Sequence, residues 1–454
     1  MNHMKHHSRS RQNNITHLIV GGLILTILNA GYPDFALSEN LDAAFKAALE
    51  QDYCLKSAND SVAAAEETLS AAKALRLPSI TGEASYTIFD TIPATSVSLS
   101  PLLPTLNLPM LEDDRVLMSD ITVSVPVFTS FRISHAVHGA EAAMEAGRSD
   151  QLKTIQDIKL KTAEAYVTVL RAEHSLVVAK SNVTALSAHA IDVENYYSKG
   201  LVPKNDVLAV HVALADARQT AIKVENALAL ARAAYNRQVG RQLDSDVLLD
   251  DPASEMDFGA ASPDKNPRDL DAVTRRALEN RSEIKKLSDQ ARAVSFRAKS
   301  IRAAALPQVQ ISGSFYHLTN TPLDDENIWT GSLGVRWDLF DGGVIRHQAR
   351  AEEKKRAALE NMKRETETLI SLQVRQSFLD VEETAKRLLV TRDAMGQAEE
   401  NLKIAKNRYI REIGNNTEVL DAETLRVNTM TNHVNAVYDR VMAGLRLKRA
   451  SGDL

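Results

Sequence analysis

The chain has 454 residues and a formal net charge of -5, too mild a bias to point to a nucleic-acid partner, and no Lys/Arg block with interleaved aromatics occurs. Aromatics make up 5% of it, with 18 Gly and 13 Pro, while Ala, Glu, Lys, Arg and Leu fill long tracts, the profile of long helices and coiled coils. The single cysteine, Cys54, excludes an intramolecular disulfide.

The first residues read "MNHMKHHSRSRQNNITHLIVGGLILTILNAGYPDFALS", with Lys5, Arg9 and Arg11 ahead of an apolar run from Leu18 to Leu28. Such a run is too short for a spanning helix and suits the h-region of a signal peptide, assigned to residues 1–30, with cleavage near Ala30 or Ala36. His3, His6 and His7 belong to this leader and are not read as a metal site. Cys54 ends no apolar run, so no lipid attachment is expected; it is read as a semi-buried thiol on an Ala-rich helix. No other run of about 18 apolar residues exists, so no transmembrane helix is expected.

Residues 37–240 read as a first structural repeat. An Ala-rich amphipathic helix, Leu41–Leu75, ends at Leu77-Pro78 because proline disfavours helix at the residue before it. Strands follow over 79–89 and 119–128. Between them lies "PATSVSLSPLLPTLNLPMLEDDR", where Pro93, Pro101, Pro104 and Pro109 are expected to forbid regular structure. A very long helix over Ser134–Ser198, a tip turn at Gly200–Lys204 and a helix over Asp206–Gly240 complete the repeat. Residues 241–268, acidic and rich in Pro, Ser and Asp, read as a linker. Residues 269–454 then restate the order. A helix over Asp269–Ala304 ends at Leu306-Pro307. Strands span 308–317 and 328–340, a long helix Val344–Arg411, a tip turn Glu412–Asn416 and a last helix Glu418–Arg449.

Self-comparison supports one motif used twice. "LDAAFKAALE" at Leu41 aligns with "LDAVTRRALE" at Leu270, an offset of 229, and "NDVLAV" at Asn205 with "TEVLDA" at Thr417, an offset of 212. The longer proline-rich loop of the first copy supplies the difference.

The four short segments alternate as half-buried strands do. Ile80, Gly82, Ala84, Tyr86 and Ile88 oppose Ser79, Thr81, Glu83, Ser85 and Thr87; Ile121, Val123, Val125 and Val127 oppose Asp120, Thr122, Ser124 and Pro126. Val309, Ile311, Gly313 and Phe315, then Trp329, Leu333, Val335, Trp337 and Leu339, repeat the pattern. Each segment has the length of a tilted strand crossing an outer membrane. Trp329 and Trp337 share the apolar face roughly 26 Å apart, as the two edges of an aromatic girdle would be. Four strands cannot close a barrel, and an open edge is not tolerated in lipid. Strands in a membrane would therefore require several copies of the chain.

The two long helices would each extend about 100 Å. The remaining helices are about half that, so a pair stacked end to end would match one long helix. Ile155, Ile158, Ala165, Val169, Leu176, Val183 and Leu186 make a coiled-coil seam along the first long helix. Lys153, Lys159, Glu164, Arg171 and Glu173 lie mostly off it and read as solvated surface.

This layout resembles the TolC family of outer-membrane efflux proteins. The pieces that carry the resemblance are "LDAVTRRALE", "RAAALPQVQISGSF", "WDLFDGGVIRHQA", "NRYIREIGNNTEVLDAETL" and "LRLKRASGDL". It implies a fold that is mainly α with transmembrane β: a homotrimer with a twelve-stranded outer-membrane β-barrel, four strands per chain, continuous with a long periplasmic α-helical barrel. It implies localisation to the cell outer membrane with a periplasmic extension. It implies a passive exit duct in a tripartite efflux or type I secretion system, gated at its periplasmic entrance by the helix-hairpin tips. The partners would be a periplasmic adaptor, an inner-membrane pump of ABC, RND or MFS type, and outer-membrane lipid; no cofactor or metal is implied.

Residue by residue, the resemblance assigns Glu418 and Asp421 to a carboxylate ring at the entrance. It assigns Asp206, Tyr409 and Arg411 to contacts between the hairpin tips, with Tyr409 bonded to Asp206. Gly200, Leu201, Gly414 and Asn415 fall in the tip turns where an adaptor docks. The tip glycine of the second hairpin is here Glu412, with Gly414 two places on, a departure from the pattern. Without the resemblance, Asn416 or Thr417 reads as a helix cap and the acids as dipole partners. The competing reading is a periplasmic coiled-coil scaffold without a pore. An enzyme is not expected: no G-x-S-x-G, P-loop or H-E-x-x-H occurs.

Overall fold

The computed structural model describes residues 38–98, 106–251, 267–320 and 325–454. The expected leader, Pro101, Pro104 and residues 252–266 of the linker lie outside the described residues. The elements are α1 (Leu41–Gln51), α2 (Tyr53–Ala74), β1 (Ser79–Ile88), β2 (Ala94–Val97), β3 (Leu106–Pro109), β4 (Arg115–Phe128), α3 (Arg132–Ser198) and α4 (Lys204–Gln238) in the first half. The second half holds α5 (Pro267–Asn280), α6 (Ser282–Ala303), β5 (Gln308–Leu318), β6 (Asn327–Arg336), α7 (Val344–Ile410) and α8 (Asn416–Ser451).

The first helix expected in each half is two helices. Asp52 and Arg281 both leave helical geometry, at ψ 123 and ψ 121, and they stand 229 residues apart, the offset of the aligned sequence. The apolar pattern runs through the break, so periodicity alone reads one helix. Asp52 marks the restart, because its carboxylate accepts from Cys54 N and Leu55 N. Cys54 itself is exposed, not semi-buried.

α3 and α7 are 67 residues each, about 100 Å of helix. The shorter helices stack beside them. α2 and α4 both lie against α3, and α6 and α8 fill the space between α3 and α7. The lower helix of each stack ends on the break in the upper one. Gly240, just past α4, abuts Gln51, and Gly452, just past α8, abuts Asn280. Left-handed backbone recurs with the same regularity: Ser130 and Gly342, Phe131 and Gly343, Gly200 and Glu412, Gly240 and Gly452 all have positive φ and stand 212 apart.

The buried apolar residues form separate clusters strung along the helices. One centres on Tyr166, Tyr235 and Tyr438; another, nearer the hairpin tips, holds Leu186, Val193, Val210, Leu402 and Val419. The three tyrosines reach from the helices to the segments that wrap them. Tyr166 Oη lies 2.7 Å from the carbonyl O of Glu39 and 2.5 Å from that of Asp250, its one proton shared between them; Tyr235 Oη donates to Glu39 Oε2 (2.8 Å) and Tyr438 Oη to Asp251 Oδ2 (3.0 Å). The charges expected to be plain surface are largely paired: Arg171 with Asp439, Glu173 with Arg232 and Glu164 with Arg446.

The four expected strands form one antiparallel sheet in the order β1-β4-β5-β6. β2 and β3 add a small hairpin inside the loop expected to lack structure. Pro109 is tolerated there as a terminal residue of an edge strand. The fourth strand ends at Arg336, not 340. Its partner β5 begins at Gln308, which faces Arg336, and Pro307 before it has no N–H to extend the ladder. Trp337 and Leu339 therefore lie beyond the strand. One face of the sheet is bare: Ile80 is 72%, Trp329 80% and Leu333 71% exposed. The opposite face carries hydroxyls bonded across strands, Ser79 to Ser124, Thr122 to Ser314 and Ser312 to Ser332. No helix among the described residues is long and apolar enough to cross a membrane.

Candidate functional site

The two hairpin tips close by the same device. At the first, Gly200 N–H bonds Tyr197 O and Leu201 N–H bonds Tyr196 O, with Gly200 at φ 73. At the second, Glu412 N–H bonds Tyr409 O and Ile413 N–H bonds Arg408 O, with Glu412 at φ 62. Both are Schellman terminations, which favour glycine at the left-handed position. The second hairpin has glutamate there. Gly414 is needed for a different reason: a Cβ on it would lie 3.0 Å from Arg408 Cβ and 3.2 Å from Tyr409 N. Replacing Glu412 by glycine is expected to stabilise the fold by about 1 kcal/mol through relief of left-handed strain, read as a rise in the thermal unfolding midpoint.

Past the turn, α8 is capped by Asn415, whose Oδ1 accepts from Glu418 N at 2.8 Å. The cap is thus neither Asn416 nor Thr417. Glu418 also pairs with Arg408 Nη1 at 3.3 Å, while Asp421, one turn on, is exposed. Arg411 caps the end of α7 with its side chain exposed, and Leu201 is half exposed at the first tip.

The expected bond between Tyr409 and Asp206 is not formed. Tyr409 is buried, and its hydroxyl has no hydrogen-bond partner among the described residues. Its ring packs edge to face on His189 (5.3 Å) and Tyr196 (5.7 Å), beside a cavity of about 70 Å³ also lined by Asp192 and Lys406. Burial, then the charge of Asp206, pushes its hydroxyl up to about 12.

Beside this ring and apolar packing, the hydrogen bonds between the tips are made by Asn416. Its Oδ1 lies 2.8 Å from His189 Nε2 on α3, and its Nδ2 donates to the main-chain O of Asp206 on α4 at 3.2 Å. The carbonyl can only accept, so the amide nitrogen faces Asp206, the amide oxygen faces His189, and His189 Nε2 must carry a proton. Burial holds His189 below its ordinary range against the opposing effect of the Asn416 bond. Two turns into α8, the buried carboxylate of Glu423 pairs with buried Arg426. Neither group was legible in the sequence. Asn416 reads as a cap, and an acid and a base three apart on a helix carry no signal of burial.

At the sheet, Trp329 stands on the bare face with its ring 4.8 Å from Phe315. Trp337 lies past the end of β6, its Nε1 donating to Ala305 O at 3.1 Å. No group of three or more His, Cys, Asp or Glu that could hold a metal ion occurs among the described residues.

A family model described as outer membrane efflux protein matches residues 44–241 and 273–453. The outer-membrane channel OprN superposes with a TM-score of 0.74 at 17% identity, covering 91% of this chain and 90% of that one. VceC, the outer membrane protein of Vibrio cholerae, gives 0.73 at 18% identity over 91% and 96%. CusC, described as forming a transmembrane channel, gives 0.77 at 15% identity over 94% and 95%. Likeness at such identities is a likeness of fold. No curated protein matches the sequence.

Proposed function

The chain belongs to the outer membrane efflux protein family, and from that premise we propose that three copies assemble into a passive exit duct. Each copy supplies four strands to a twelve-stranded barrel and its helices to a periplasmic tube. The two halves of the chain are one motif duplicated, each ending in a hairpin tip at the tube's far end. Substrate enters there from an inner-membrane pump of ABC, RND or MFS type through a periplasmic adaptor docked on Gly200, Leu201, Gly414 and Asn415. The chain conducts and does not catalyse.

One observation carries this reading: an open sheet, bare on its apolar face, with β1 and β6 at its edges. Unpaired edges are not sustained in lipid, whereas sister strands would satisfy them. Trp329 and Trp337 stand at the two borders of the lipid band. Purified protein in detergent should be trimeric and appear as cylinders by electron microscopy; monomers without cylinders would end the proposal.

Glu418 and Asp421 ring the entrance in this assembly. Glu418 is ion-paired with Arg408 while Asp421 is exposed, so the pair is close to neutral and Asp421 supplies most of the net negative charge at the ring. In planar bilayers, Glu418→Ala/Asp421→Ala is expected to lose most of the cation preference and the block by divalent ions. Each single variant removes one negative charge per chain and should lose part of the preference, and no loss from either would count against the assignment.

A further inference from the structure

We propose that Asn416 is the latch that fastens the two hairpin tips to one another, through His189 and the main chain of Asp206, and that the entrance opens by releasing it. This rests on the duct reading above. Asn416 is the first residue of α8, so it moves with the second hairpin. Its two partners belong to the two helices of the first, His189 on α3 and Asp206 on α4. One side chain therefore ties three helices together at the level of the turn.

Burial makes the tie two-state. Asn416 is 2% and His189 5% exposed, and the two bonds use both ends of the amide. A small displacement of the second tip would break them while leaving the groups out of reach of water, the costly case for a polar group. A displacement large enough to wet all three groups replaces the bonds by water. The stable positions are thus fastened or well apart, with little between.

Tyr409 supplies the contrast. It lies in the same contact, nearly as buried, yet its hydroxyl bonds no protein group among the described residues. Its role is packing against His189 and Tyr196, which a phenylalanine ring would keep. Asn416, in contrast, cannot be replaced by Asp without loss. A carboxylate keeps the acceptor for His189 but turns the donor facing the Asp206 carbonyl into a second acceptor.

The experiment uses the full-length chain in planar bilayers, with amide hydrogen exchange on the same detergent samples. Asn416→Ala is expected to spend about tenfold more time open, two neutral hydrogen bonds having been lost, with cation preference retained. His189→Ala should give a similar increase, and the double variant little more than either single one. Tyr409→Phe should match the wild type, and Asn416→Asp should fall between. Amides of residues 204–210 and 416–422 should exchange faster in Asn416→Ala, while those of the tyrosine cluster near Tyr166 should not. A wild-type open time in Asn416→Ala, or opening by Tyr409→Phe as large as by Asn416→Ala, would overturn the latch. If the wild type conducts nothing, the duct reading fails, and the exchange comparison still decides whether Asn416 holds the tips.

Discussion

Arg449→Met is expected to cost about 3 kcal/mol, the low end for breaking a buried ion pair, because each of its carboxylate partners keeps a second cation. Arg449 is 7% exposed near the end of α8. Its Nε and Nη2 donate to Asp157 Oδ1 on α3 at 3.1 and 2.7 Å, and Nη2 also reaches Glu283 Oε1 on α6 at 2.8 Å. Arg281 closes the circuit from the break between α5 and α6, gripping Glu283 with two nitrogens at 2.9 Å. Its Nη1 donates to the carbonyls of Arg449 and Ala450, capping the C-terminus of α8. Without Arg449, half-buried Glu283 keeps only Arg281 as an ion-pair partner among the described residues, and partly exposed Asp157 keeps only Lys153. The loss should appear as a lower thermal midpoint of the helical circular-dichroism signal in detergent. Arg449→Lys should recover little of it, since an ammonium cannot span the two carboxylates as the planar fork does.

The same joint sets a pH dependence. Burial opposes the charge on Glu283, but hydrogen bonds from Arg281 and Arg449 outweigh it and hold the carboxyl at about 2, below its ordinary 4.5. The folded value is the lower one, so the stability that Glu283 contributes is complete above about pH 4.5 and drains away as pH falls toward 2. Arg449→Met should move the onset of acid unfolding to higher pH, because one of the two donors that depress Glu283 is gone. An unchanged acid midpoint would show that the network does not act as drawn.

The second large effect is expected at Gly240. This residue ends α4 in left-handed geometry, and a Cβ there would lie 2.5 Å from Gln51 Cβ and 2.8 Å from its Cγ. The Cβ of Gln51 cannot rotate away, so α4 and α1 would have to separate. Gly240→Ala should cost about 3 kcal/mol, strain and displaced packing together. Gly396→Ala is the control: it lies within α7 with nothing within 4 Å of its added carbon. It should stabilise the protein by up to about 1 kcal/mol. Equal effects of the two substitutions would mean that the stacked ends do not bear on one another.

The two stacks are joined differently. Gly240 meets Gln51 by close packing, with Arg241 pairing to Glu39 nearby. The joint between α8 and α6 adds a buried ion circuit to the same glycine-terminated end. The two substitutions therefore test one architectural element by two kinds of force.

Local chemistry was enough for much of this protein. The lengths of the hairpin helices, the Leu-Pro ends, the starts of β1, β5 and β6 and both tip turns follow from periodicity and from proline, glycine and asparagine, because those signals act over one or two turns of chain; β4 begins at Arg115, before the expected 119. The 212- and 229-residue offsets mark the two copies in the sequence, but that left-handed backbone and helix breaks recur at the same spacing is a property of the fold. Tertiary structure decided the rest. The breaks at Asp52 and Arg281 exist because another helix ends there, which no window of sequence contains. Tyr166, Tyr235 and Tyr438 look like ordinary core residues until their hydroxyls meet segments far away in the chain. Asn416 reads as a cap by propensity, yet its amide is spent on His189 and Asp206, each some two hundred residues distant. A side chain's burial and its long-range partner are properties of the packed molecule, and they decide whether a polar residue is surface, cap or latch.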